Sequence, residues 1–97
     1  MLANKQTVKE LVYSMADMTG TDLDRRYWCD KAKDKTRRNL CFKFTDTNEA
    51  DTVAAKLQAE LTRQGYDNVV KRTSVANTYT GLYYSTGAEY IRVQALM

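Results

Sequence analysis

The chain has 97 residues, of which 43% are hydrophobic and 28% are charged, a composition typical of one small globular domain. Its 15 basic and 12 acidic side chains give a net charge of +3, so the protein is mildly basic. Histidine is absent, which excludes histidine-dependent catalysis, and two cysteines are too few for a tetrahedral zinc site. The four glycines are too dispersed to form a phosphate-binding loop.

These absences set the first expectations about function. Without a histidine or a paired acid and base in the sequence, we expect a protein that is not an enzyme and that holds no metal or cofactor. No run of about eighteen apolar residues occurs, and no apolar stretch of signal-peptide length follows Met1. We therefore expect a single cytoplasmic domain, residues 1–97, that makes no contact with a membrane.

The first predicted element is a helix from about Asn4 to Asp17, indicated by a stripe of apolar residues at helical spacing. The helix begins either at Asn4 or at Thr7, which opens a Thr-x-x-Glu capping box. Gly20 is suited to the left-handed turn that ends a helix. The apolar stripe consists of Val8, Leu11, Val12 and Met15.

Residues 22–39 allow two interpretations. Arg26–Cys29 is rich in strand-forming residues and Lys33–Thr36 is typical of a turn, so we favour a β-hairpin, while a helix stays open. The second arm of the hairpin, Arg38–Phe44, alternates apolar and polar side chains with the period of a half-buried strand. Its apolar residues are Leu40, Phe42 and Phe44.

A second helix is predicted from the capping residues Thr45–Asn48 to about Gln64. Gly65 stands where a left-handed residue ends a helix, and Tyr66 is placed to pack back on Leu61. The apolar face of this helix consists of Ala50, Val53, Ala54, Leu57 and Leu61.

The C-terminal third of the chain has no helical period. Three strands are predicted there, at Val69–Val75, Tyr79–Tyr84 and Glu89–Leu96, and they form a β-meander. The whole pattern predicts an α+β fold with two helices and an antiparallel sheet of about four to five strands. The predicted order of elements is α-β-β-α-β-β-β, with a helix against the apolar face of the sheet.

The two cysteines lie in the two arms of the predicted hairpin. With a turn of three residues at 34–36, position 29 falls opposite position 41, so we expect Cys29 and Cys41 to be neighbours. In a reducing cytoplasm, we expect both thiols to pack as small apolar groups rather than to form a disulfide. A shift of one residue in the register would separate them.

The positive charge is concentrated in the predicted hairpin. Residues 25–43 hold eight basic and two acidic side chains, whereas residues 1–24 and 44–68 are net negative. Cations beside aromatic rings are typical of a surface that pairs with phosphates and stacks on bases. A solvated hairpin that needs its charges for solubility explains the same residues. The candidate nucleic-acid residues are Arg25, Arg26, Tyr27, Trp28, Lys31, Lys33, Lys35, Arg37, Arg38 and Lys43.

The polar face of the predicted sheet adds cations to this surface. We expect Lys43, Arg72 and Arg92 to lie around Tyr90 on that face. The surface is open to a partner only if the first helix does not cover it.

Tyrosine is the other notable feature, with seven residues against two phenylalanines. Tyrosine and arginine are enriched in protein interfaces, because they combine a large contact area with polar groups. Strand tyrosines that close the rim of a small core explain the same rings. The candidate partner-binding residues are Tyr79, Tyr83, Tyr84, Tyr90 and Arg92.

From these features we expect a non-catalytic module that docks on a larger protein or nucleoprotein complex as a small inhibitor or adaptor. Single-domain inhibitors encoded by phages, anti-CRISPR proteins among them, are similar in size and in their lack of catalytic residues. The alternative is direct binding of RNA or DNA through the basic hairpin, with Tyr27 and Trp28 stacking on bases. A steep salt dependence of binding would distinguish the alternative.

Overall fold

The computed structural model describes residues 1–31, 35–74 and 88–97, and for residues 24–31 and 74 it describes the backbone only. The elements in chain order are α1 (Lys5–Thr19), β1 (Leu23–Lys31), β2 (Arg37–Phe44), α2 (Thr47–Arg63), β3 (Val70–Ser74) and β4 (Glu89–Leu96). Two helices with an antiparallel sheet confirm the predicted α+β class. The predicted strand Tyr79–Tyr84 lies outside the described residues, so the predicted strand count and full element order stay predictions.

The strands lie side by side in the order β1-β2-β4-β3, and each neighbouring pair is antiparallel. β2 pairs with β4 along its whole length, from Arg37 opposite Leu96 to Phe44 opposite Glu89. The hairpin of β1 and β2 is therefore part of the sheet and not a two-stranded ribbon that projects from it. The extended backbone of Leu23–Lys31 also contradicts a helix over this stretch.

The ends of α1 follow from side-chain and backbone capping. The Thr7 N–H donates to Oδ1 of Asn4 at 2.8 Å, so Asn4 caps the helix and the earlier of the two predicted starts is correct. At the other end, Gly20 adopts a φ of 65°, and the Thr21 N–H donates to the Ala16 carbonyl at 2.9 Å. The helix thus ends two residues beyond the predicted Asp17.

The ends of α2 confirm the predicted signals. The Glu49 N–H donates to Oδ2 of Asp46 at 2.9 Å, which caps the first turn. Gly65 has a φ of 85°, and the Tyr66 N–H donates to the Leu61 carbonyl at 2.9 Å, as in a Schellman motif. Because this motif depends on local sequence, the helix ends within one residue of its predicted end.

Both helices pack on one face of the sheet. All five predicted apolar residues of α2 are buried, and Tyr13 of α1 lies edge-on to Phe42 of β2 with ring centroids 6.3 Å apart. The residues that α1, β2 and β4 give to this core include Val8, Val12, Met15, Leu40, Phe42, Phe44, Ile91, Val93 and Ala95. The opposite face of the sheet is therefore not covered by α1, which answers the question that the sequence left open.

The predicted opposition of Cys29 and Cys41 is wrong. Cys29 pairs with Leu40, and Trp28 pairs with Cys41. The pairing of Lys31 with Arg38 sets this register, one residue away from the register expected for a turn at 34–36. Cys41 itself is fully buried, in agreement with the prediction that it packs as a small apolar group.

Candidate functional site

The face of the sheet opposite the helices displays a set of cations from three neighbouring strands. Successive strand residues point to opposite faces, so the residues that alternate with the helix-packed core of β2 and β4 lie on this second face. Residues of β3 are placed by their partners in β4. We call this surface the helix-free face, and we define it as Arg37, Asn39, Cys41, Lys43, Lys71, Thr73, Tyr90, Arg92 and Gln94.

Two of these cations stand directly opposite each other. Lys71 of β3 pairs with Arg92 of β4, and Arg92 pairs on its other side with Cys41 of β2. Lys71 is exposed and Arg92 is half-buried. Two positive charges at neighbouring positions raise the local potential and attract anions to this part of the face.

An open groove of about 720 Å³ lies on one end of the helix-free face. Inside it, Nη1 of Arg37 donates to Oε1 of Gln94 at 3.2 Å, and Nε2 of Gln94 donates to Oδ1 of Asn39 at 3.2 Å. A guanidinium and two side-chain amides thus form a hydrogen-bonded row across β2 and β4. The described residues of its lining are Met1, Leu2, Arg37, Asn39, Asp67, Val69, Lys71, Arg92 and Gln94.

The helix side of the molecule has the opposite charge balance. α2 and its cap hold four acidic side chains, Asp46, Glu49, Asp51 and Glu60, against two basic ones. Hydrogen bonds from Arg63 and Gln64 lower the pKa of Glu60 to about 2, so this carboxylate is charged at neutral pH. An anionic partner is therefore attracted to the helix-free face more than to α2.

Arg72 does not lie on the helix-free face, so the face predicted for it is wrong, although its Nη1 donates to the Tyr90 carbonyl at 2.9 Å. It pairs with Ile91, a residue of the helix-packed core, and it reaches both α2 and β4. Its Nε lies 2.7 Å from Oδ1 of Asp51, and its Nη2 lies 3.0 Å from Oε2 of Glu89. Burial opposes the charged form, but these two carboxylates outweigh it and raise the pKa of Arg72. Arg72 therefore links β3 to α2 and to β4.

Replacing Arg72 by alanine should lower the free energy of unfolding by about 1–2 kcal/mol, because its hydrogen bonds to Asp51, Glu89 and the Tyr90 carbonyl are lost. Urea unfolding followed by circular dichroism measures this change. Lys71→Ala is the matched control, since Lys71 is the neighbouring cation on the other face and is exposed. Its effect should stay within about 0.5 kcal/mol. Equal losses in the two variants would contradict the assignment of Arg72 to the helix side.

Tyr90, a predicted partner-binding residue, is fully buried. It forms a small second cluster with Cys41 and Ala88 on the helix-free face. Because all three residues are buried, this part of the helix-free face offers no exposed contact to a partner. The other predicted partner-binding tyrosines, Tyr79, Tyr83 and Tyr84, lie outside the described residues.

The predicted nucleic-acid residues divide between the two faces. Arg37 and Lys43 lie on the helix-free face, and both are half-buried. Arg38 pairs with the core residue Ala95 and so lies on the helix-packed side. Lys35 is exposed in the turn before β2, and Lys33 lies outside the described residues. The residues described by backbone alone are Arg25, Arg26, Tyr27, Trp28 and Lys31.

The predicted site residues do not include Asn39, Lys71 or Gln94, although these lie on the helix-free face. Strand alternation carried a usable signal for Lys71, because it places Lys71 and Arg72 on opposite faces of one strand. Nothing in the sequence indicates that Lys71 lies opposite Arg92, since strand register depends on pairing between distant segments.

Neither α1 nor α2 is long and apolar enough to cross a membrane. No group of three or more potential metal ligands occurs among the residues with described side chains. No known protein family matches the chain, and no curated protein or solved structure shows significant similarity to it.

Proposed function

We propose that the protein is a non-catalytic nucleic-acid-binding module that holds the phosphate backbone on its helix-free face. The observation that carries this proposal is the pair of Lys71 and Arg92, which stand directly opposite each other. Two positive charges at neighbouring positions attract a phosphate, so the pair is suited to bind one.

The surrounding charges support the same proposal. Arg37 and Lys43 bring two further cations from β2. Asp24 and Asp30 of β1 stand opposite Lys43 and Asn39 in the register, so the positive charge of the face is concentrated on β2, β3 and β4. A nucleic-acid strand carries a negative charge at every nucleotide. Cations spread over three adjacent strands match such a chain of charges better than they match a single small anion.

The protein-docking module, an inhibitor or adaptor, is the second candidate function. Exposed apolar residues at the groove favour it: Met1 is 81% exposed and Val69 is 61% exposed. Apolar side chains beside arginines such as Arg37 and Arg92 are typical of protein interfaces. The partner in this case is an acidic protein surface, which would respond less steeply to salt than a phosphate chain does.

Fluorescence anisotropy with labelled single-stranded RNA and DNA of about 12 nucleotides tests the proposal. Replacing Lys71 and Arg92 together by glutamine should weaken binding at least about tenfold at about 150 mM salt. The slope of log affinity against log salt should fall by about 0.7 for each phosphate contact that is lost.

The matched control replaces Lys56 and Arg63 of α2 by glutamine, which changes the net charge by the same amount on the other side of the molecule. Its affinity should stay within about twofold of the parent. Equal losses in the two double variants would show that only net charge matters. Absence of nucleic-acid binding by the parent at physiological salt would leave the protein-docking candidate.

A further inference from the structure

We infer that the nucleic acid held on the helix-free face is single-stranded and that its bases enter the groove, where they contact Asn39 and Gln94. This inference rests on the proposed function and goes further, because it names the form of nucleic acid and the groups that contact it. Three features of the structure carry it: the width of the sheet, the chemistry of the groove and the charge of α2.

The sheet is too wide to enter a duplex. Neighbouring strands lie about 4.8 Å apart, so four strands span about 14 Å between the outer axes before side chains are added. The major groove of DNA is about 12 Å wide and admits a helix or a two-stranded ribbon. β2 is paired with β1 on one side and β4 on the other, so it does not form such a ribbon. The helix-free face can therefore meet an undeformed duplex only at its phosphates.

The groove contains groups that a phosphate surface does not need. The amides of Asn39 and Gln94 lie in a hydrogen-bonded row with Arg37, among the cations of the face. Leu2 and the exposed Val69 give the same groove an apolar wall. In a duplex, the Watson–Crick edges are paired and the base faces are stacked, and the remaining base edges lie inside grooves that the sheet is too wide to enter. An unpaired strand offers phosphates, base edges and apolar base faces together.

The helix α2 has a charge unsuited to reading a duplex. With its cap, it holds four acidic side chains, Asp46, Glu49, Asp51 and Glu60, against two basic ones. Recognition helices approach the phosphates of the major groove, and an excess of carboxylates on a helix opposes that approach. Of these two surfaces, the groove is the one suited to base contact, and it is suited to a single strand.

Three probes test this inference on the parent protein: a single-stranded RNA of about 12 nucleotides, a strand of the same length that lacks bases and so carries the same number of phosphates, and a duplex of the same sequence, which carries about twice as many. The base-bearing single strand should bind at least about tenfold more tightly than the other two at about 150 mM salt. Equal binding of the duplex or of the strand without bases would overturn the inference.

The same experiment separates this inference from the function on which it rests. If all three probes bind equally and the Lys71→Gln, Arg92→Gln variant weakens all of them, the nucleic-acid function stands and the single-strand inference is wrong. If no probe binds, the proposed function is wrong, and the inference is overturned with it. Binding to the single strand alone supports both.

A groove variant adds a second readout. Asn39→Ala should reduce affinity for the base-bearing strand about threefold or more and leave affinity for the strand without bases unchanged. Asn48→Ala is the matched control, because Asn48 is exposed in the first turn of α2. Equal losses on both probes after Asn39→Ala would show that Asn39 acts on phosphates or on the fold. In that case the base-contact inference is overturned.

Discussion

Phe42→Ala should lower the free energy of unfolding by about 3–5 kcal/mol. Phe42 is fully buried between the helices and the sheet, and Tyr13 packs edge-on against its ring with centroids 6.3 Å apart. Truncation removes the apolar contacts of the ring, loses the aromatic pair and leaves a cavity that neighbouring side chains fill only in part. Urea unfolding monitored by circular dichroism gives the change in free energy.

Two further variants make this result specific to the face of β2. Phe42→Leu keeps most of the apolar volume and should cost less than about 1.5 kcal/mol. Lys43→Ala changes the next residue, which lies half-buried on the helix-free face, and should cost about 0.5 kcal/mol or less. A loss after Lys43→Ala as large as that after Phe42→Ala would mean that the two faces of β2 are exchanged.

The buried faces of β2 and α2 could be predicted from the sequence, because each is determined by residues that are close together in the chain. Leu40, Phe42 and Phe44 alternate with polar or small residues, and a half-buried strand requires that period. The helical spacing of the apolar residues in α2 identifies its buried face, and Gly65 with Tyr66 identifies its end. At these positions the spacing of apolar residues matches the residues that are buried, so the sequence pattern alone is sufficient to identify the buried face.

The contacts that form the candidate site were not predictable, because they depend on which residues of distant strands stand opposite each other. One residue of register decides whether Cys41 faces Cys29 or Trp28. The same kind of choice places Lys71 opposite Arg92. Hairpin register is set by the connecting turn, and the pairing of β3 with β4 is set by the packing of the whole sheet. Neither the register of the hairpin nor the pairing of β3 with β4 can be determined from the residues of one strand alone.

The burial of Asn68 is another feature that could not be predicted from the sequence. In the sequence, Asp67 and Asn68 look like ordinary loop residues after a helix. In the structure, Asn68 is only 1% exposed, and its amide joins two segments far apart in the chain. Oδ1 accepts from the Ala3 N–H at 2.7 Å, and Nδ2 donates to the Gln94 carbonyl at 2.8 Å. The amide thus fixes the N-terminal segment beside β4.

The backbone around Asn68 is held as well, which makes the position of its side chain rigid. Nε2 of Gln58 in α2 donates to the Asn68 carbonyl at 2.9 Å, and Oε1 of Gln58 accepts from the Val70 N–H at 3.0 Å. One glutamine therefore satisfies a donor and an acceptor of the segment that enters β3. With the backbone held in this way, the Asn68 side chain has little freedom to exchange its buried partners for water.

Asn68→Asp should therefore lower the free energy of unfolding by about 2–4 kcal/mol, although the two side chains have nearly the same shape. The change replaces the Nδ2 donor by an oxygen that faces the Gln94 and Ala3 carbonyls, and it introduces an ionisable group into a buried site. Asn48→Asp is the matched control, because this exposed residue lies in the first turn of α2, where an acid interacts favourably with the helix dipole. Urea unfolding at neutral pH should show a large loss for Asn68→Asp and none for Asn48→Asp. If Asn68→Asp were as stable as the parent, the buried hydrogen bonds of Asn68 would be contradicted. The two side chains have nearly the same shape, so the substitution makes no new packing contact that could compensate for the lost donor.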